Sequence, residues 1–252
     1  MGSDSVAGMS STQKAVQDRY AQAAREMSAG PGACCGDACG CESTDYSAQD
    51  LQLIGLSQSV SLGCGNPTLL AALNPGETVL DLGSGGGMDV LLSARRVGPS
   101  GHAYGVDMTD EMLELAETNR ARAGARNATF LKGTIDAVPL PDGAVDVVIS
   151  NCVINLAEDK GAVIREAYRV LKPGGRLAVA DMVELEALAP EVKKAADAWA
   201  GCIAGTIPVD EYSGLLVGAG FAEPEIEVHS VSEVPEGGRI GSAYIRARKP
   251  GA

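Results

Sequence analysis

Between Glu77 and residue 189 the chain alternates short apolar runs with amphipathic stretches, and this alternation limits the fold more than any other feature. The runs are "TVLDLGSG", "HAYGVDM", "ATFLKGTI", "VDVVISNC" and "RLAVADMV". Each is aliphatic or β-branched along most of its length, as strands buried on both faces of a parallel sheet must be. Residues 87–97, 110–123 (starting near Thr109) and 160–171 carry helical periodicity between them, and "KPGG" turns the chain into the last run. Regular strand–helix alternation predicts an α/β fold with a doubly wound, Rossmann-like, mostly parallel sheet. There is no internal repeat.

The flanks differ. Residues 10–28 read as a helix: Ser10 and Gln13 have capping-box spacing, and Val16, Tyr20, Ala23, Ala24 and Met27 share one face. A cysteine-rich loop follows, then helices over 47–60 and 66–73, the latter after Gly63-Cys64-Gly65. Toward the C-terminus, 190–204 and 209–219 read as helices, and "EPEIEVHSV" and "SAYIRARKP" as closing strands. A chain of 252 residues holds one well-filled core with a modest appendage. The expected division is an N-terminal helix and cysteine arm (1–46), a cofactor-binding Rossmann-like domain (47–189) and a C-terminal α+β extension (190–252) that closes the site.

Composition narrows the function. The formal net charge is -13, so nucleic acid and anionic membranes are excluded as partners. No apolar run approaches the roughly 20 residues that span a bilayer, and "MGSDSVAGMS" lacks a secretion signal. A cytoplasmic monomer is expected. Seven cysteines, an odd number, cannot all pair within one chain, and a reducing compartment assigns them to metal, redox or catalytic duty, or to burial. Only His102 and His229 are present, which excludes a histidine-rich metal site; both read as structural or exposed, Arg165 and Glu166 as surface charges, and Trp199 as packing.

"DLGSGGG" (81–87) joins the first strand to its helix. Glycines permit the sharp turn and the close approach of a ligand, but Met88 stands where a dinucleotide fingerprint needs its last glycine. The acid-led D-x-G-x-G-x-G run resembles the cofactor loop of class I S-adenosylmethionine-dependent methyltransferases. That cofactor has an ammonium group and a sulfonium and no pyrophosphate, so acidic and carbonyl partners suit it. Asp107, ending the second strand, is placed to accept from ribose hydroxyls, and Thr134, Ile135 and Asp136 end the third strand near the adenine position. Expected cofactor contacts are Asp81, Gly83, Ser84, Gly85, Asp107, Met108, Thr134, Ile135 and Asn151.

In open α/β sheets ligands bind at the carboxyl ends of strands. Cys152 in "ISNCVINL" stands at such an end, Cys64 in "SLGCGNP" lies on a glycine-flanked loop, and Cys202 in "AGCIAG" follows the fifth strand. Convergent thiolates select soft ions. Trivalent arsenic bound by three thiolates keeps a lone pair that can accept a methyl group, and no general base is needed. At these residues the sequence resembles the arsenite methyltransferases, especially their bacterial and archaeal branch, from about Cys34 to the end of the chain. "SLGCGNP", "VLDLGSGGGMD", "GVDMTDEML", "SNCVINL", "EAYRVLKPGG" and "GCIAG" carry the resemblance, with 50 residues between Cys152 and Cys202.

The resemblance implies that Cys64, Cys152 and Cys202 bind As(III), that Cys35 (or Cys34) joins the redox cycle, and that Cys152 and Cys202 hold a methylated arsenical. It implies arsenite and methylarsenite as substrates, S-adenosylmethionine as methyl donor, and glutathione or thioredoxin as reductant, serving arsenic detoxification. Two departures stand out: Ser61 and Leu62 replace an aromatic pair found in animal and algal relatives, and the N-terminal element "CCGDACGC" has four cysteines where one is needed. Adjacent Cys34 and Cys35 suit a zinc knuckle poorly; the stretch reads as a thiol arm that delivers arsenic or closes a reducible disulfide on Cys64, with no assigned role for Cys39 and Cys41. Two alternatives keep other classes open: a methyltransferase of carbon or oxygen on a small organic acceptor, with structural cysteines, and a soft-metal buffer with a vestigial cofactor site.

Overall fold

The computed structural model describes residues 10–29, 46, 52, 54, 65–194, 202–235 and 237–251. Of the expected helix over 47–60 only Gln52 and Ile54 are described, both helical; the cysteine arm with Cys34, Cys35, Cys39, Cys41 and Cys64 lies outside the described residues, as does Trp199. The elements are α1 (Ser11–Ala29), α2 (Pro67–Leu70), β1 (Thr78–Leu82), α3 (Met88–Val97), β2 (His102–Asp107), α4 (Asp110–Ala123), β3 (Ala128–Lys132), β4 (Val145–Asn151), α5 (Lys160–Val170), β5 (Leu171–Glu186), α6 (Pro190–Lys194), α7 (Val209–Ala219), β6 (Ala222–Glu233) and β7 (Arg239–Arg248).

These strands form one seven-stranded sheet in the order β3-β2-β1-β4-β5-β7-β6. β1 to β5 run parallel, and β7 and β6 are antiparallel additions at one edge. The order reverses between β1 and β4, and a crevice opens there at the carboxyl ends of the strands. Because β1 and β4 are covered on both faces, their apolar runs are unbroken rather than alternating. Leu80, Leu82 and Val148 meet Ile164, Tyr212 and Leu216 of α5 and α7 on one side. Val79, Val147 and Ile149 meet Val97 on the other. At the edge, β6 buries only part of alternate residues, so its glutamates face water.

One local reading holds and two are refined. The capping box of α1 forms as expected, with the Gln13 amide donating to Ser10 Oγ and the Ser10 amide to Gln13 Oε1, both at 3.1 Å. "KPGG" is an excursion within β5: Leu171 pairs with Val145 and Arg176 with Val147, so the register jumps across the turn. Glu166 is not a surface charge. It pairs with Arg169 at 2.8 Å and accepts the Val138 amide at 2.7 Å, while Arg169 also reaches Asp142 and the carbonyls of Val138 and Leu140, stapling the loop before β4 to α5. Arg165 is exposed, as expected. His102 bonds Thr129 at 3.0 Å and His229 stacks on Tyr244, both structural roles.

Candidate functional site

The glycine loop 83–87 builds the floor of the crevice. Gly83 and Ser84 both donate to the Val106 carbonyl, folding the loop back over β2. Gly83 sits at φ +70°, and a Cβ there would meet Val153 Cγ1 at 2.3 Å; Gly87, at φ +84°, would strike Phe130 Cζ at 2.5 Å. Glycine is therefore required twice over at these positions, by backbone conformation and by space. Asn119 Nδ2 donates to the Gly86 carbonyl at 2.9 Å and fixes the loop from α4.

Asp107 caps the loop from the end of β2. One carboxyl oxygen accepts the Gly85 amide and the other the Thr109 amide, each at 2.9 Å. Burial raises its pKa against these hydrogen bonds. Asp89, in the first turn of α3, accepts from the Tyr46 hydroxyl at 2.6 Å and from Asn151 Nδ2 at 3.3 Å. Burial pushes it up to about 6 despite those donors. Asp81 is pushed well above the usual carboxylate range, by burial first and then by the charges of Asp89 and Asp107.

The resulting cleft has a volume of about 260 Å³. Its walls include six carboxylic acids (Asp81, Asp89, Asp107, Asp136, Glu158 and Asp159) and, among the described residues, no Lys, Arg or His. An anion would meet repulsion here, whereas a cation relieves the crowding of buried acids. Ser84 Oγ is buried without a hydrogen-bond partner, a further polar atom available to a ligand. An amino- and sulfonium-bearing nucleoside such as S-adenosylmethionine fits this donor set; a pyrophosphate does not.

Every expected cofactor contact, Asp81, Gly83, Ser84, Gly85, Asp107, Met108, Thr134, Ile135 and Asn151, lines the cleft. Thr134 and Ile135 lie beyond β3, which ends at Lys132, and Thr134 bridges to Ala137 in a tight turn. Asn151 serves mainly as a strut, donating to Gly65 O at 2.8 Å and Tyr46 Oη at 3.1 Å. Asp89 and Tyr46 were missed in the sequence, as was Tyr20 of α1. Asp89 had a visible signal, an acid at the first turn of a helix that follows a glycine loop.

Beside the cleft, Cys152 and Cys202 come together. Both side chains are buried, in a cluster with Val16, Leu156, Tyr20, Met108, Val153 and Met182. Cys202 Sγ donates to the Cys152 carbonyl at 3.0 Å. Cys152 leaves β4 at φ +57°, its amide bonded to the Ala180 carbonyl, and Cys202 adopts φ +61°. The expected helix over 190–204 thus does not reach its end: residues 202–205 turn, because left-handed backbone at Cys202 breaks helical continuity. Non-glycine residues seldom hold this conformation, and such strain gathers at functional sites. Cys152 is disulfide-bonded and Cys202 is not part of a disulfide. No group of three or more metal-ligating side chains is assembled among the described residues, and none of their helices is long and apolar enough to cross a membrane.

Comparison with known proteins agrees with this geometry. A methyltransferase-domain family model matches residues 73–227. The arsenite methyltransferase of Halobacterium salinarum is 42% identical over 95% of this chain and 67% of its own length. The arsenite methyltransferases of Aquipseudomonas alcaligenes and human are 41% and 38% identical over 65% and 59% of this chain, which spans less than half of either. The X-ray structure of an arsenic(III) S-adenosylmethionine methyltransferase from Chlamydomonas reinhardtii superposes with a TM-score of 0.68 at 33% identity, covering 82% of this chain and 71% of that one. A Haemonchus contortus phosphoethanolamine N-methyltransferase, at 17% identity and a TM-score of 0.64, shares the fold alone.

Proposed function

The chain belongs to the arsenite methyltransferase family, built on the class I methyltransferase fold, and on that premise we propose that it methylates trivalent arsenic held by cysteine thiolates, taking arsenite and then methylarsenite as substrates. The observation that carries this reading is the pairing of Cys152 with Cys202, at 3.0 Å from sulfur to carbonyl, beside an acid-lined cleft with no basic residue.

Asp81, Asp89 and Asp107 are suited to a cationic nucleoside, and the glycine loop admits it close to the backbone. S-adenosylmethionine, when bound, supplies an electrophilic methyl group, and arsenic in a thiolate pyramid keeps the lone pair that receives it. Buried, apolar surroundings of Leu156, Val153 and Met182 keep water from the acceptor. Cys64 is the third ligand in this reading, and Cys34 or Cys35 the redox partner. A disulfide offers no thiolate, so Cys152 must be released by a thiol reductant, glutathione or thioredoxin, before it can ligate arsenic.

The decisive assay is arsenite-dependent formation of S-adenosylhomocysteine by the purified chain with S-adenosylmethionine and reductant. Methylated arsenicals should appear in step with it. Product formation independent of arsenite would point instead to an organic acceptor.

A further inference from the structure

Asn151 ends β4 where the donor cleft meets the acceptor side. The next residue is Cys152, and the neighbour of Asn151 across the strands is Ala180. The Cys152 amide donates to the Ala180 carbonyl at 2.8 Å, and a Cβ on Gly65 would meet Ala180 Cβ at 2.7 Å. Gly65, which directly follows Cys64, is therefore wedged against the same alanine that fixes Cys152. Asn66 then caps α2 by accepting the Leu69 amide at 3.1 Å.

The Asn151 amide has two hydrogens for three acceptors. Nδ2 lies 2.8 Å from the Gly65 carbonyl, 3.1 Å from Tyr46 Oη and 3.3 Å from Asp89 Oδ2. Tyr46 donates its own hydroxyl hydrogen to Asp89 Oδ1 at 2.6 Å, so toward Asn151 it accepts. Three surrounding acceptors fix which end of the amide carries nitrogen. The shortest contact, to Gly65, takes one hydrogen, and the tyrosine and the carboxylate share the other. Asp89 and Asn151 both line the cleft. An ammonium group arriving at Asp89 forms a charge-assisted pair with the carboxylate and weakens its claim on Nδ2. One hydrogen is then left for Gly65 and one for Tyr46.

Resting on the donor and acceptor sites proposed above, we infer that Asn151 is a positioning residue that couples them: the ammonium end of the methyl donor at Asp89 turns the Asn151 amide fully onto Gly65 and Tyr46, and so fixes Gly65, to which Cys64 is joined, beside Cys152. Donor binding thereby readies the acceptor side. Linkage makes the effect mutual, so arsenite tightens the nucleoside by the same factor.

The test uses the full-length, reduced protein and S-adenosylhomocysteine, which keeps the ammonium group. Amide hydrogen exchange is followed at Leu69, Leu70 and Ala71, whose hydrogen bonds close the turn after Gly65. Saturating S-adenosylhomocysteine should slow this exchange about fivefold in wild type, the lower end of ordinary coupling between sites. In Asn151→Ala, exchange should be faster and no longer respond to the bound nucleoside. A merely structural Asn151 would speed exchange equally in both states and keep the slowing, which overturns the proposal. Asp89→Asn keeps the shape, removes a buried charge, and should also lose the slowing at saturation; it decides the matter if Asn151→Ala folds poorly. Slowing that persists in Asp89→Asn, or is absent from wild type, overturns the proposal. Calorimetry with arsenite should give about fivefold higher affinity with S-adenosylhomocysteine than without it in wild type, and equal affinities in Asn151→Ala. Equal affinities in wild type overturn the coupling. The exchange readout needs no arsenic. Slowing in a wild-type protein that binds no arsenite would support the role of Asn151 and overturn the proposed function.

Discussion

Asp181 offers the sharpest test of the physical reasoning. Its side chain is wholly buried in β5 behind the thiol site. One carboxyl oxygen accepts from Asn155 Nδ2 at 2.7 Å and the Met182 amide at 2.9 Å, whereas the other has no hydrogen-bond partner. Burial pushes the group from 3.8 up to about 7, against the Met182 amide, the Lys160 charge and the Asn155 contact. The folded chain therefore keeps a proton that the unfolded chain releases near 3.8. Stability contributed by this group is full below that value and falls as pH rises toward 7, after which it levels. At 1.36 kcal/mol per unit, the total loss is about 4 kcal/mol, of which roughly 2 kcal/mol falls between pH 5.5 and 8.5. Asp181→Asn keeps both acceptor contacts on its carbonyl oxygen and never ionises. Chemical denaturation of both proteins at the two pH values isolates the effect, since all other titrations cancel in the difference. The variant should gain about 2 kcal/mol relative to wild type on going to the higher pH. A difference that stays constant, or shrinks, would refute the assignment of Asp181 as a buried acid held neutral.

Two more outcomes follow from the site. Cys152→Ser and Cys202→Ser should each abolish methylation of arsenite and methylarsenite, and Cys64→Ser should impair arsenite selectively; wild-type turnover in Cys152→Ser, measured by chromatography of the arsenicals, would remove the thiolate site. Gly83→Ala should destabilise the fold by about 1–3 kcal/mol, because a Cβ would sit 2.3 Å from Val153 at φ +70°. Gly214→Ala in α7, where nothing lies within 4 Å, should be neutral or slightly stabilising in the same melts.

The parts of this architecture that local chemistry determines could be read from the chain. Aliphatic and β-branched runs in regular alternation with helical stretches mark parallel strands, so β1 to β4, the loop 83–87 and Asp107 could be placed, although β3 ends at Lys132, three residues short of the expected Ile135. The capping pair Ser10 and Gln13 marked α1 for the same reason. What escaped depends on contacts between distant segments. Nothing in "QDRYAQ" says that Tyr20 will lie against Cys202, which is 182 positions later. Asp89 looked like an ordinary helix-start acid until Tyr46 and Asn151 were seen to converge on it. Glu166 has the spacing of a solvated helix face, but the loop before β4 folds over it. The helix expected through Cys202 followed from periodicity, which carries no information about a single left-handed residue.

That left-handed backbone bears on how the chain tolerates change. Cysteine at φ +57° or +61° is disfavoured relative to glycine by about 1–2 kcal/mol at each position. Random drift at 152 and 202 therefore runs downhill toward glycine or asparagine, residues that would relax the chain and leave the sheet intact. A descendant that no longer needed sulfur there would gain stability by losing it. Under the thiolate chemistry proposed above, the residue types at these two positions would separate thiophilic chains from chains that kept only the methyl-donor cleft, a distinction that the glycine loop and the strands cannot make.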